Sequence, residues 1–191
     1  MMDFYVFRHG QSDNNQKRFW QGCQINIDLN ATGVEQARAL AKSLKDKNLQ
    51  LVVSSPLVRA YHTGKIVAEE CQVPFLTQSS LQEADYGVAE GLSFDEVKQN
   101  WPEVFARWIV PNAQDFDIGF ENGETQQEVL DRIFLVFEAL AENAQYDCVG
   151  ISIHGGSIAL LLAYLGVDKP KIGNGEYIHI QRLDEGQYRL V

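Results

Sequence analysis

Four short stretches of this chain carry residues with chemical potential. Arg8-His9-Gly10 follows the apolar run Phe4-Tyr5-Val6-Phe7, and His154-Gly155-Gly156 follows Val149-Gly150-Ile151-Ser152-Ile153. Ser54-Ser55-Pro56, with Arg59 just beyond, follows the run ending at Val53, and Leu81-Gln82-Glu83 follows Phe75-Leu76. Two histidines, two arginines and a carboxylate thus stand where apolar runs stop. An arginine fork grips phosphate oxygens in pairs and spreads their charge. An imidazole fixed as one tautomer by a hydrogen bond at Nδ1 presents a free Nε2 nucleophile. A carboxylic acid near the leaving oxygen can protonate it and later activate water. Gly10, Gly155 and Gly156 let backbone approach a ligand, and the N–H groups opening a helix after Gly156 can bind an anion. These are the parts needed for phosphoryl transfer through a phosphohistidine.

Each part has a blander reading. A lone histidine after a strand is more often a hydrogen-bonded structural residue than a catalyst. Arg8-His9-Gly10 is short enough to arise by chance. Glu83 alone says nothing, because Asp85 and Glu90 lie close by and surface carboxylates are common. Arg59 is harder to dismiss: a cation in the first turn opposes the helix dipole, unless an anion binds between them.

The elements that must position these groups are legible. Strand-like runs at Phe4–Phe7, Leu49–Val53, Phe75–Leu76, Val149–Ile153, Tyr177–Arg182 and Gln187–Val191 alternate with helical patterns. Val34, Ala37, Leu40, Ala41 and Leu44 lie on one helical face, as do Val129, Ile133, Val136, Phe137 and Leu140. Asn30 or Thr32 can cap the first of these helices, and Ser55-Pro56 predicts a cap followed by proline at the first position of another. Ser93-Phe94-Asp95-Glu96 and Thr125-Gln126-Gln127-Glu128 fit the capping box. Gly155-Gly156 should open a helix over Ser157–Leu165. Such alternation implies an α/β sheet covered on both faces, with ligands bound beyond the carboxyl ends of the strands.

Composition narrows the partners. The chain has 191 residues, 45% hydrophobic and 10% aromatic, as for one globular domain able to build a full core. Sixteen Lys and Arg against 26 Asp and Glu give a net charge of −10. That balance argues against nucleic-acid and anionic-membrane binding, which need a basic field. It does not argue against a small anion, because a few local cations can focus a field of opposite sign. Cys23, Cys71 and Cys148 are odd in number and form no Cys-x-x-Cys pair, so neither a disulfide framework nor a structural zinc site is expected. The N-terminal run is too short for a signal peptide, and Ile158–Leu165 is far too short to span a membrane. A reducing cytoplasm is the expected location.

In the order and spacing of its motifs the sequence resembles the histidine phosphatase superfamily, also called phosphoglycerate mutase-like, over nearly its whole length. Arg8-His9-Gly10, Asn15 and Gln21-Gly22 are similar to its first block, and Ser54 to Thr63 to its second. Glu83-Ala84-Asp85-Tyr86-Gly87 with Glu90-Gly91 is similar to the acid block. Gly123-Glu124-Thr125 with Arg132 resembles the late helix, and His154-Gly155 the second histidine. The resemblance implies a three-layer α/β sandwich with a six-stranded, mostly parallel mixed sheet and helices on both faces. It implies His9 as the phosphorylated nucleophile and Glu83 as proton donor. Arg8, Arg59 and His154 would hold the phosphoryl group and act in catalysis, with Asn15, Gln21, Gly22 and Gly155 also binding phosphate. No metal or cofactor is implied. The partner would be a small phosphorylated metabolite, and a homodimer is compatible with the sequence.

Three positions depart from the family pattern. Gln11-Ser12 replaces Glu-Thr, Asp28-Leu29-Asn30 replaces Pro-Leu-Thr, and Ala89 stands where tryptophan is common. The first could shift the His9 pKa; none removes a catalytic group. Glu83 and His154 are 71 residues apart and the chain ends in a strand-like run, which looks more like the compact phosphatases than the mutases. The whole chain is expected to form one domain, with a lid or specificity insertion at about 91–120. Trp101, Phe105 and Trp108 there are spaced as a helix core face. The alternative is a set of lid aromatics contacting a ring-bearing leaving group, such as α-ribazole phosphate, or a sugar phosphate. Mutase activity and an inactive phospho-ligand binding module are the other readings. A metal hydrolase using His9, His62, His154 or His179 finds no ligand spacing to support it.

Overall fold

The structure is a computed structural model that describes residues 1–143, 145–168 and 171–191. Its first strand, β1 (Met2–Arg8), is apolar on both faces. Phe4 and Val6 point into one core cluster and Tyr5 and Phe7 into another, because side chains alternate across a strand. A short helix α1 (Asp13–Lys17) follows, capped by Ser12, and then α2 (Ala31–Leu44), capped by Asn30. Next come β2 (Leu51–Ser54), α3 (Val58–Cys71) and the edge strand β3 (Phe75–Thr77). A loop with two 3-10 turns leads to α4 (Phe94–Asn100) and α5 (Pro102–Ile109). The long helix α6 (Gln126–Glu142), β4 (Cys148–Ile153), α7 (Gly155–Tyr164), β5 (Tyr177–Arg182) and β6 (Tyr188–Leu190) complete the chain.

The six strands form one sheet in the order β3-β2-β4-β1-β5-β6. Its β3, β2, β4 and β1 strands are parallel, and β5 and β6 add antiparallel edges. This is the expected mixed, mostly parallel sheet. The α2 and α3 residues Leu40, Leu44, Val67 and Ala68 cover one face with Tyr5 and Phe7. Residues of α6 and α7, including Ile133, Phe137, Ile158 and Leu161, cover the other.

The register sets up the site. Arg8 lies opposite Ile153, and Ser54 opposite Ser152. The residues that follow, His9, Ser55 and His154, therefore leave three neighbouring parallel strands at the same edge.

Both predicted capping boxes form, at Ser93 with Glu96 and at Thr125 with Glu128. The Ser55-Pro56 expectation is corrected. Helix α3 begins at Val58, and its cap residue Leu57 makes no side-chain cap bond. The Ser55 hydroxyl instead bonds His154 and accepts from the Leu57 N–H. Helix α7 starts at Gly155, two residues before the expected Ser157, with His154 at its cap position.

The aromatic run does not lie on one helix. Trp101 ends α4 and precedes Pro102, so α5 starts afresh with its own proline at the first position. Trp108, Phe116 and Phe120 are buried in the main core, with Trp101 and Phe105 partly buried against it.

Candidate active site

The strand ends open into a cleft of about 510 Å³. Arg8, His9, Asn15, Gln21, Gly22, Arg59, Glu83 and Gly155 all line it. His154 does not line the wall. It is fully buried just behind, its ring centroid 5.2 Å from that of His9. Residues from five separate stretches of sequence thus meet at one place.

His9 is held from several directions. Its backbone N–H donates to Ile153 O (3.1 Å), and Asn174 Nδ2 donates to its carbonyl (3.0 Å). The ring Nδ1 lies 2.7 Å from Gly10 O. A carbonyl only accepts, so Nδ1 carries the proton and Nε2 keeps its lone pair. Burial, then Arg59 and Arg8, hold the His9 pKa well below the usual histidine value. The ring is neutral and nucleophilic in the free protein.

The arginines are fixed by backbone carbonyls. Arg59 Nη1 donates to Ile25 O and Nη2 to Gly22 O, each at 2.8 Å, and Arg8 Nη1 donates to Ile172 O at 2.8 Å. Gly22 sits at φ +58°, and a Cβ there would overlap the Glu90 carboxylate, which the N–H groups of Cys23, Gln24 and Tyr86 hold, so a side chain would displace it. Burial lowers the pKa of both guanidiniums from the ordinary arginine value, while the Glu83 carboxylate acts in the opposite sense. Arg8 Nε, Arg59 Nε and His154 Nδ1 are buried without a hydrogen-bond partner among the described residues. A buried donor left unpaired costs about 1–3 kcal/mol, more for a charged group. Arg8 and Arg59 line the cleft, and His154 lies just behind it.

His154 Nε2 lies 2.8 Å from Ser55 Oγ. Ser55 Oγ already accepts from Leu57 N, and His154 Nε2 is the acceptor within reach of its own proton, so the hydroxyl is assigned as donor to Nε2. His154 Nδ1–H is then the unpaired donor. Burial, then Arg59, keep this ring's pKa well below normal as well.

The Glu83 carboxylate sits at the N-terminus of α7. It accepts from Gly156 N (3.0 Å), Ser157 N (3.1 Å) and Ser157 Oγ (3.0 Å), and from Ala84 N (3.1 Å). A Cβ on Gly156 would lie 2.1 Å from Tyr86 Oη and 3.0 Å from Glu83 Oε1, which explains the glycine. Tyr86 itself lines the cleft, and burial followed by Glu83 raises its pKa well above normal.

Asn15 and Gln21 serve the loop as well as the cleft. Ser12 N donates to Asn15 Oδ1 (3.0 Å) and Ser12 Oγ to Gln21 Oε1 (3.1 Å), so the amide nitrogens are the groups left for a ligand. Gln11 turns away: its N–H donates to Gln36 Oε1 and its Oε1 accepts from Asn30 Nδ2.

Sequence reasoning did not single out Ser55, Thr63, Tyr86, Ser157 or Asn174 as working parts. Thr63 Oγ1 accepts from Gly10 N and donates to Arg59 O, tying the nucleophile's loop to the arginine helix. Three of these residues, Ser55, Thr63 and Tyr86, stood inside the quoted motifs, but the partners His154, Gly10 and Gly156 are dozens of residues away.

Among the described residues one group of three potential metal ligands occurs, Cys23, Asp85 and Glu90, within 4.8 Å of one another. The two carboxylates hold the loop backbone. Glu90 accepts from the N–H groups of Cys23, Gln24 and Tyr86, and Asp85 from Gly87 N and Gln24 Nε2. Burial and Glu90 push the Cys23 thiol up to about 11, so it stays protonated. His62 and His179 are elsewhere, paired with Asp28 and Asp3.

Comparison with known proteins agrees with this geometry. The profile of the histidine phosphatase superfamily (branch 1) matches residues 4–186. Phosphoserine phosphatase 1 of Hydrogenobacter thermophilus is 30% identical over 172 residues, 90% of this chain and 80% of its own. The 2,3-bisphosphoglycerate-dependent phosphoglycerate mutase of Nitrobacter hamburgensis is 30% identical over 167 residues, covering 84% of this chain and 79% of its own. The structure of a mycobacterial glucosyl-3-phosphoglycerate phosphatase with VO3 superposes with a TM-score of 0.86 at 26% identity, covering 100% of this chain and 97% of the other. Family and phosphatase relatives together support phosphomonoester hydrolysis. The chain belongs to the histidine phosphatase superfamily, branch 1.

Proposed function

We propose that the chain hydrolyses small phosphomonoesters in two steps through a phosphohistidine on His9. The observation that carries this reading is the set of partnerless nitrogens, Arg8 Nε, Arg59 Nε and His154 Nδ1, around a neutral His9 with a fixed tautomer. His9 Nε2 attacks phosphorus, the bond to the leaving oxygen breaks, and Glu83, which enters this step as the protonated acid, gives its proton to that oxygen. Water then attacks the phosphohistidine, Glu83 takes its proton, the P–N bond breaks and inorganic phosphate leaves. Arg8, Arg59 and His154 hold the phosphoryl oxygens and stabilise the charge that develops on them. Asn15 and Gln21 contribute amide donors. Gly22 fixes Arg59 through its carbonyl, and Gly155 lies against the Arg8 guanidinium. The scheme routes no step through a metal.

Phosphate release from p-nitrophenyl phosphate, measured with a chelator present, tests it. Turnover should survive the chelator and vanish in His9→Ala. Loss with chelator would point to a metal hydrolase, and phosphate binding without turnover to a binding module. The mutase relative supports a second reading, interconversion of phosphoglycerates. The 71-residue spacing between Glu83 and His154 favours hydrolysis over it.

A further inference from the structure

We infer that the preferred ester carries an uncharged, apolar alcohol, and that the exposed end of the cleft at Phe94, Ile109 and Val110 selects it. This rests on the hydrolase reading and adds the substrate class to it.

The cleft changes character with depth. At its buried pole, His9, Arg59 and Glu83 are 3%, 1% and 7% exposed. At its outer end Phe19, Phe94, Ile109 and Val110 join the lining, with Ile109 41% and Val110 44% exposed. An exposed apolar rim continuous with a charged pole fits a ligand that is anionic at one end and apolar at the other. The volume of about 510 Å³ lies in the range of small-molecule sites, well beyond what a bare phosphate fills.

The distribution of charge points the same way. The phosphoryl group takes Arg8 and Arg59. Among the described lining residues Lys171 is the only further cation. Arg18 lies outside the lining, its guanidinium 5.5 Å from the centre of the Phe94 ring. A second anionic group on the substrate would lose hydration against the apolar wall.

The rim is carried by the end of α5. Pro102 sets that helix's phase, and Trp108 then enters the core, its ring edge-on to Tyr86 at 4.8 Å between centroids. Ile109 and Val110 follow at the helix end and remain outside. Tyr86 in turn abuts Gly156 beside Glu83. One buried aromatic pair thus ties the apolar wall to the proposed proton donor.

The test is kcat/KM across n-alkyl phosphates from ethyl to octyl, whose alcohols have nearly equal pKa values. The inference expects a rise of roughly three- to fourfold per added CH2 until the cleft is filled. It expects O-phosphoserine and 3-phosphoglycerate to fall at least about tenfold below butyl phosphate. In Ile109→Asp and Val110→Asp the dependence on chain length should flatten. A flat series with the unaltered chain, or phosphoserine turned over better than butyl phosphate, would overturn the inference and leave the hydrolase reading standing. No turnover of any ester, p-nitrophenyl phosphate included, would overturn the hydrolase reading and the inference with it.

Discussion

Arg132 holds Glu83 in place without touching its carboxylate. Its Nη2 donates to the Glu83 carbonyl (3.2 Å), and its Nη1 to the carbonyls of Ser80 and Gln82 (2.7 Å each). The Glu124 carboxylate grips the other side of the guanidinium, at Nε (2.7 Å) and Nη2 (2.9 Å). Glu124 also accepts from Asp85 N, so the loop is pinned on both sides of Glu83.

This makes Arg132 a positioning residue for the proton donor. Lysine cannot reproduce a planar fork with five donors. Arg132→Lys should lower kcat for butyl phosphate by about 100-fold, the scale of a lost general acid. For p-nitrophenyl phosphate, whose leaving group needs no proton, the loss should stay under about tenfold. Equal losses on both esters would mean that Arg132 supports the fold and nothing more specific.

Gly156→Ala places a methyl group on Tyr86 Oη and against Glu83 Oε1. The carboxylate must move, and kcat should drop by about 100-fold with a smaller change in KM. Adding Tyr86→Phe removes the harder clash and should restore part of the rate. Full activity in Gly156→Ala would show that the position of Glu83 does not matter to turnover.

Ser55→Ala leaves His154 Nε2 without its partner and frees the ring to take the other tautomer. Vanadate or phosphate binding should weaken by about fivefold to tenfold, the scale of one hydrogen bond. Isothermal titration reads this directly. Unchanged affinity would argue that Nδ1–H of His154 does not meet the anion.

Stability should fall with acid earlier than carboxylates alone would cause. His9 and His154 are neutral in the folded chain, their pKa values depressed by burial first and then by Arg59. In the unfolded chain both titrate near 6.5. Below about pH 6.5 the unfolded state therefore binds protons that the folded state refuses. The histidine contribution is complete above that pH and is lost as pH falls. Urea midpoints should decline between about pH 7.5 and 5.5, and less so in His154→Asn. A midpoint that holds or rises over that interval would contradict the burial of neutral rings.

The sequence made the outline readable where the physics is local. The apolar Phe4–Phe7 run, the Asn30 cap and the capping boxes at Ser93 and Thr125 each depend on neighbours within a few residues, and each formed as expected. Motif order was enough to name the residues that converge on the cleft. What stayed hidden depends on distant partners. Ser55 looked like a helix cap, but its hydroxyl bonds His154, 99 residues on. Ser157 meets Glu83, and Tyr86 meets Gly156, only because the sheet brings the loop after β3 to the N-terminus of α7. The break at Trp101 was missed because the i, i+4, i+7 spacing outweighed the proline that follows it.

The central claim is covalent: phosphorus passes through His9 Nε2. Mixing the protein with 32P-labelled ester and quenching in alkali, which preserves a phosphohistidine, tests it most directly. Label is expected on the peptide containing His9, attached at Nε2, absent from His9→Ala and persisting longer in Glu83→Gln as water attack slows. Turnover without any trapped label in Glu83→Gln, or sustained turnover in His9→Ala, would contradict it.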